Sequence, residues 1–301
     1  MNGLIPQFLQ EMLQKQYGEE ITNQIVEGYS QNRKTTLRVN TVKTNLDTVK
    51  NILEENNIKY IDVPWYKDAL IIENASEQDL QKLAIYENGE IYLQSLSSMI
   101  PPLVVNPRGK ESILDMAAAP GGKTTQMFAL ANGQAMITAC EKNKIRAERL
   151  KYNLEKQGAT KVTVMMQDAR NLDDFFSFDK ILLDAPCSGS GTLNTNDKNL
   201  SKYFTQELIN RSVKTQKELL RKAVNIVKKG GEIIYSTSSI LKEENEMVLK
   251  DILKKGNVEI VPINKEEFEG VPMLPVEIEE TVCVCPTELY EGFFVAKLKK
   301  V

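Results

Sequence analysis

Histidine is absent from all 301 residues. That excludes a Ser-His-Asp hydrolase and any Cys-His nucleophile pair, and it leaves only thiols and carboxylates to build a zinc site. Cysteine is scarce as well. Cys140, Cys187, Cys283 and Cys285 are too few and too scattered for a disulfide framework in a chain this long, so free thiols are expected. Cys283 and Cys285 would share one face of a strand, where buried small hydrophobes are the simpler reading, and no metal is expected. No apolar run reaches the roughly 18 residues of a membrane span. The first twenty residues carry acids and glutamines where a signal peptide needs a basic and then an apolar run, so a cytoplasmic protein with no membrane partner is expected. There is no basic excess either: the formal charge is −3. Any attraction for nucleic acid must then be local.

What is present is a globular composition, 42% hydrophobic and 26% charged. The chain is organised around Ser112 to Thr125, SILDMAAAPGGKTT, which reads as strand, tight loop and helix start. Three alanines and two glycines let a ligand lie against the backbone beside a helix N-terminus. A phosphate-cradling loop would need GxxxxGK[ST], and Ala117 stands where its first glycine belongs; GxGxxG fails too.

Residues 1 to about 30 read as two helices from the spacing of Leu4, Phe8 and Met12, then Ile21, Ile25 and Tyr29. A strand at Thr36–Thr41, a helix at 45–57, one or two strands within 60–73 and a capped helix from Ser76 make a small α+β unit ending near Gly89. The double proline in 91–105 is expected to stop any regular element there. From 110 onward strand and helix alternate strictly, with strands at 112–116, 135–141, 162–168, 180–186 and 231–238, and helices at 143–157 and 205–229. Such alternation gives a parallel sheet covered on both faces. Two strands near 281–285 and 292–298 complete the sheet as a hairpin-like pair.

Ligands of such sheets sit beyond the C-terminal strand ends, where Asp115, Glu141, Asp168 and Asp184 fall. Glu141, about 20 residues past the loop, is placed for ribose hydroxyls, and Asp168 for the exocyclic amine of a purine. No clamp of basic groups accompanies the loop, so a cofactor with a nucleoside and an amino-acid end fits better than one with a pyrophosphate. Cys187 stands on a constrained turn between Pro186 and a glycine-rich loop, beside Asp184. The hydroxyls of 236–239 either hydrogen-bond a base or cap a helix starting near Lys242. Arg33, Lys34 and Arg38 are candidates for phosphate contacts, and Trp65 or Tyr66 for base stacking, with plain core the preferred assignment for Trp65.

These stretches together resemble the Nol/Nop/Sun family (RsmB-like) of S-adenosylmethionine-dependent RNA cytosine carbon-5 methyltransferases. The matching segments are TLRVNT at 36–41, QSLSSM at 94–99, DMAAAPGGKT at 115–124, DAPCSGSG at 184–191, YSTSS at 235–239, ENE at 244–246 and GFFVA at 292–296. The resemblance implies an α/β fold: a Rossmann-like class I methyltransferase sheet over 106–301 with helices on both faces, preceded by a small N-terminal α+β RNA-binding unit over 1–105, with no further RNA-binding module after it. It implies that Ala117, Ala118, Ala119, Pro120, Gly121, Gly122, Lys123, Glu141, Asp168 and Asp184 bind S-adenosylmethionine, and that the partner is RNA, either rRNA or tRNA. A monomer is expected.

The family's attacking cysteine stands on the fifth strand, and here that position is Ser238. Three readings follow. Cys187 acts as nucleophile, with Asp184 holding the base and Lys123 lowering the thiol pKa; or the protein binds cofactor and RNA with little turnover; or it methylates another acceptor that needs no covalent adduct.

Overall fold

The computed structural model describes residues 5–301; Leu4 lies outside them. Helix α1 (Gln7–Ser30) is broken at Gly18, whose φ of 80° interrupts the helical path, so the two expected helices form one bent rod. There follow β1 (Thr36–Val39), α2 (Leu46–Glu55), β2 (Tyr60–Asp62), β3 (Ala69–Ile72), α3 (Glu77–Leu80), α4 (Ala84–Glu87) and β4 (Ile91–Leu93). These four strands pair antiparallel in the order β2-β3-β1-β4. Leu37, Val39, Leu70, Ile72 and Ile91 from the sheet, with Val49 and Leu53 of α2, form its own apolar core. Helix α1 does not share that core. Its Leu9, Leu13, Ile25 and Tyr29 belong instead to a core of the large sheet.

Helix α5 (Leu96–Val105) runs through the double proline, contrary to the expectation of a break. Pro101 and Pro102 remove two backbone donors. Gln94 repairs part of the loss, its Nε2 donating to the carbonyl of Ser98 at 3.3 Å, and packing of Met99 and Ile100 in the interior supplies the rest.

The second sheet is assembled from β5 (Ser112–Asp115), α6 (Gly122–Leu130), β6 (Met136–Cys140), α7 (Lys144–Lys156), β7 (Thr163–Met165), β8 (Phe178–Asp184), α8 (Leu200–Tyr203), α9 (Gln206–Ile226), β9 (Val227–Thr237), α10 (Glu246–Leu253), β10 (Val258–Val261), β11 (Val282–Val284) and β12 (Phe293–Lys300). Its order is β10-β12-β9-β8-β5-β6-β7, parallel from β9 to β7 and antiparallel around β12, with β11 hydrogen-bonded to β12. Successive residues face opposite layers: Leu114, Ile181 and Ile233 pack toward α1, α9 and α10, while Ile113, Leu182 and Ile234 pack toward α5, α6 and α7. Helix α9 ends earlier than its glycine pair suggests, because Val227 already pairs with Phe178 and residues 228–231 bulge out of the ladder. Strand β10 is not among the expected strands, although Val258, Ile260 and Val261 are β-branched. Cys283 and Cys285 are both buried in the same apolar cluster. Among the described residues no helix is long and apolar enough to cross a membrane.

Candidate active site

The parallel strands deliver their C-terminal ends to one rim: β5 at Asp115, β6 just before Glu141, β8 at Asp184 and β9 just before Ser238. Asp115 is 1% exposed and braces the loop that follows it. Its Oδ2 accepts from Thr124 Oγ1 at 2.7 Å and its Oδ1 from the Ala117 amide at 3.4 Å. Burial pushes its pKa up to about 6. Gly121 adopts φ +113°, a conformation that favours glycine, and a Cβ on Gly122 would stand 3.1 Å from the Tyr92 ring. The loop is thus pressed between α7 and β4, and the short side chains of Ala117 to Ala119 leave a cavity of about 330 Å³ over it. Asp115, Lys123, Asp184, Ser238, Tyr92, Gln94 and Phe293 are among the other residues that line it.

A smaller compartment of about 50 Å³ shares Ala117 with the first and is lined by Glu141, Asp168 and Pro186. Glu141 is buried, accepting from the Asn143 amide at 2.8 Å, with Arg146 Nη1 3.4 Å from its other oxygen. Asp168 takes two guanidinium bonds from Arg170, at 3.0 and 2.6 Å, which hold its carboxyl below the usual range.

At the other end of the rim Lys123 Nζ lies 2.8 Å from Asp184 Oδ2 and over the Phe293 ring, while Ser236 Oγ donates to Asp184 Oδ1 at 2.8 Å. Cys187 Sγ and Ser238 Oγ are 3.2 Å apart. The sulfur lies outside the apolar core clusters, on the turn after β8. Its pKa is nevertheless pushed up to about 12, by burial first and then by the Glu244 carboxylate. The expected help from Lys123 is overturned, because that ammonium is committed to Asp184 and no cation acts on the thiol.

Of the hydroxyls on 236–239, Ser238 is the one that lines the cavity. Ser236 bonds Asp184, Thr237 bonds Asn245 at 2.6 Å and Ser239 bonds Glu244 at 2.6 Å, so three of them tie the rim together internally.

The basic candidates separate. Arg38 is completely buried on the inner strand β1, its Nε donating to Gln94 at 3.0 Å and its Nη2 to Thr125 at 2.9 Å, so it ties the small sheet to α6 and cannot meet a phosphate. Arg33 is half-buried, with Nε and Nη2 lacking hydrogen-bond partners, and Lys34 is exposed, 4.0 Å from Glu288. Trp65 is packed edge-on against Phe268 and donates to Tyr290 at 2.9 Å, and Tyr66 is buried, so neither offers a free stacking face. Gln94, Tyr92 and Glu244 carry no distinguishing spacing or composition, although QSLSSM begins at Gln94, two residues after Tyr92, and ENE begins at Glu244.

A parallel sheet with this strand order, a small-residue loop after its first strand and acids along one rim defines a class I methyltransferase domain. The chain belongs to the 16S rRNA methyltransferase RsmB/F family, whose profile matches residues 102–299; a second profile, the RsmF/B-like ferredoxin-like domain, matches residues 5–79. Over its full length it is 32% identical to ribosomal RNA small subunit methyltransferase F of Shewanella oneidensis, of which it spans 64%. It is 33% identical to tRNA (cytosine(49)-C(5))-methyltransferase of Pyrococcus abyssi, covering 88% of this chain and 87% of that protein. A crystal structure of a methyltransferase homolog protein from Pyrococcus horikoshii superposes with a TM-score of 0.82 at 29% identity, covering 99% of this chain and all of the other.

Proposed function

We propose that the protein methylates carbon 5 of cytosine in rRNA or tRNA. The observation that carries this reading is the thiol of Cys187, 3.2 Å from Ser238 Oγ, beside a cavity that Asp184, Ser238 and the alanine-glycine loop line together. The methyl donor is S-adenosylmethionine. The residues present fit it: a Cβ on Gly122 would crowd the cradle against Tyr92, the two cations at the loop are committed elsewhere, Lys123 to Asp184 and Arg146 to Glu141 and the Ala119 carbonyl, and Glu141 and Asp168 supply acceptors for hydroxyls and an exocyclic amine. When bound, it supplies an electrophilic methyl group to carbon 5.

Carbon 5 of cytosine is too weak a nucleophile until a thiolate adds at carbon 6. Cys187 Sγ forms that bond, and Asp184 holds the base. After transfer the carbon-5 proton passes to water, the C5–H electron pair reforms the carbon 5–carbon 6 double bond, and the S–C6 pair leaves with the sulfur, returning the Cys187 thiolate. The target base must be extruded from its stack to reach the rim.

A second reading is a protein that binds S-adenosylmethionine and RNA with little turnover. The upward push on the Cys187 thiol, by burial and then by Glu244, favours it, since a raised pKa leaves less thiolate near neutral pH. Incubation with labelled methyl donor and total RNA, followed by nucleoside analysis, separates the two. Labelled 5-methylcytidine supports the first reading, donor binding without transfer supports the second, and label at any other atom removes both.

A further inference from the structure

Glu244 lies on the turn before α10 and is completely buried, yet among the described residues no lysine or arginine pairs with it. Its charge is held by hydrogen bonds alone. Oε1 accepts from the Ser188 amide at 2.7 Å and from Gln216 Nε2 at 3.3 Å; Oε2 accepts from Ser188 Oγ and Ser239 Oγ, each at 2.6 Å. Ser188 follows Cys187, and Ser239 follows Ser238. One carboxylate therefore grips both turns that carry the candidate pair, next to their reactive atoms in sequence. Gln216 adds a strut from α9, its Nε2 also donating to the Pro186 carbonyl at 3.0 Å. The two turns are further joined by the Gly191 amide on the Ser238 carbonyl at 2.9 Å and by Ser190 and Ser239 hydroxyls 2.8 Å apart.

We propose that Glu244 is the positioning residue of this site: it clamps the Cys187 and Ser238 turns in one register and presents a fixed negative charge to the sulfur. The proposal rests on Cys187 being the reactive thiol. A carboxylate with four donors has little reason to move, so its field on the sulfur is built in. The other ionisable groups facing Cys187 are Asp184, whose charge is matched by Lys123, and Tyr235, whose hydroxyl donates to the Glu244 carbonyl at 2.6 Å. Glu244 is accordingly the unmatched carboxylate at the thiol; burial holds its own pKa above the usual carboxylate value, and the hydrogen bonds from Ser188, Ser239 and Gln216 offset only part of that rise.

The test is alkylation of Cys187 by iodoacetamide in the whole chain, followed by mass analysis of the Cys187 peptide between pH 7 and 9. It needs neither methyl donor nor RNA, so its outcome is independent of whether the protein methylates RNA. Glu244→Gln removes the charge and is expected to speed alkylation about threefold for each unit the thiol pKa falls, because the thiolate fraction rises about tenfold while its intrinsic nucleophilicity drops by about half a decade. Glu244→Asp keeps the charge while shortening the clamp and is expected to leave the alkylation rate at the wild-type value. Equal rates in wild type and Glu244→Gln overturn the proposal, as does equal acceleration by both variants. If Glu244→Gln does not fold, Ser239→Ala carries the test. Removing that strut is expected to raise hydrogen exchange of the Ser188 and Gly191 amides about tenfold, and unchanged exchange overturns the clamp.

Discussion

Glu141 and Asp168 meet arginines that reach in from solvent, whereas Asp184, Cys187 and Ser238 meet groups fixed in the sheet and its turns. Arg146 and Arg170 have side chains 56% and 35% exposed, while Lys123 is only 15% exposed and wedged against Phe293. Exposed ion pairs contribute little and exchange readily; enclosed networks with every donor used are stiff. The two ends of one rim therefore differ in kind. Arg146 and Arg170 are each also held by a second partner, the Ala119 carbonyl and Glu218, so the acids at that end sit in bridged pairs at the solvent edge, whereas Cys187 Sγ and Ser238 Oγ lie 3.2 Å apart on two turns tied to one carboxylate.

Substitutions sharpen that contrast. The largest effect is expected at the rigid end, where Cys187→Ser should lower methyl transfer to RNA by ~10³-fold or more. Ser238→Ala, which removes only a hydrogen-bonding hydroxyl, should leave it within about threefold; label incorporation measures both, and activity surviving in Cys187→Ser would break the assignment. Asp115, between the two ends, gives a pH signature. Burial raises its pKa from 3.8 to about 6, so between those values the folded chain retains a proton that the unfolded chain has released. Stability from this group is complete below about pH 4 and falls by about 3 kcal/mol as pH rises through 6. Asp115→Asn should erase that slope in urea titrations at pH 4 and 7. At the exchangeable end Glu141→Gln should weaken donor affinity about tenfold by calorimetry. The smallest effect is expected for Arg170→Ala, a change under about threefold and toward tighter binding, because the ligand no longer competes with the guanidinium for Asp168. A tenfold loss in Arg170→Ala would mean that the arginine belongs to the binding surface and would undo the comparison.

Much of the architecture is legible in the chain itself. The alternating strands of the large sheet, the AAAPGG loop and the acids Asp115, Glu141 and Asp184 at or just past strand ends follow from local periodicity and turn chemistry, which act over a few residues, whereas Asp168 falls three residues beyond β7, capping a short 3-10 turn. The misreadings share one cause. Pro101 and Pro102 sit inside a helix because Gln94 takes one released carbonyl. Arg38 reads as a surface cation, yet its strand is central in the small sheet and its guanidinium is absorbed by Gln94, Thr125 and the Tyr92 ring. Lys123 reads as an activator of the thiol and is taken by Asp184. Each depends on a neighbour supplied by another part of the fold.

Residue order alone determined which side chains stand at strand ends, that no imidazole chemistry is available, and that serine occupies the fifth-strand position. The three-dimensional packing decided who partners whom: that Glu244, 57 residues beyond Cys187 in the chain, holds the turns on both sides of the candidate pair, and that the surroundings of the thiol push its pKa up. The reason is physical. Strand and turn preferences are short-range, whereas the state of an ionisable group is set by distance and solvent, and both of these come into being only when the sheet closes its rim.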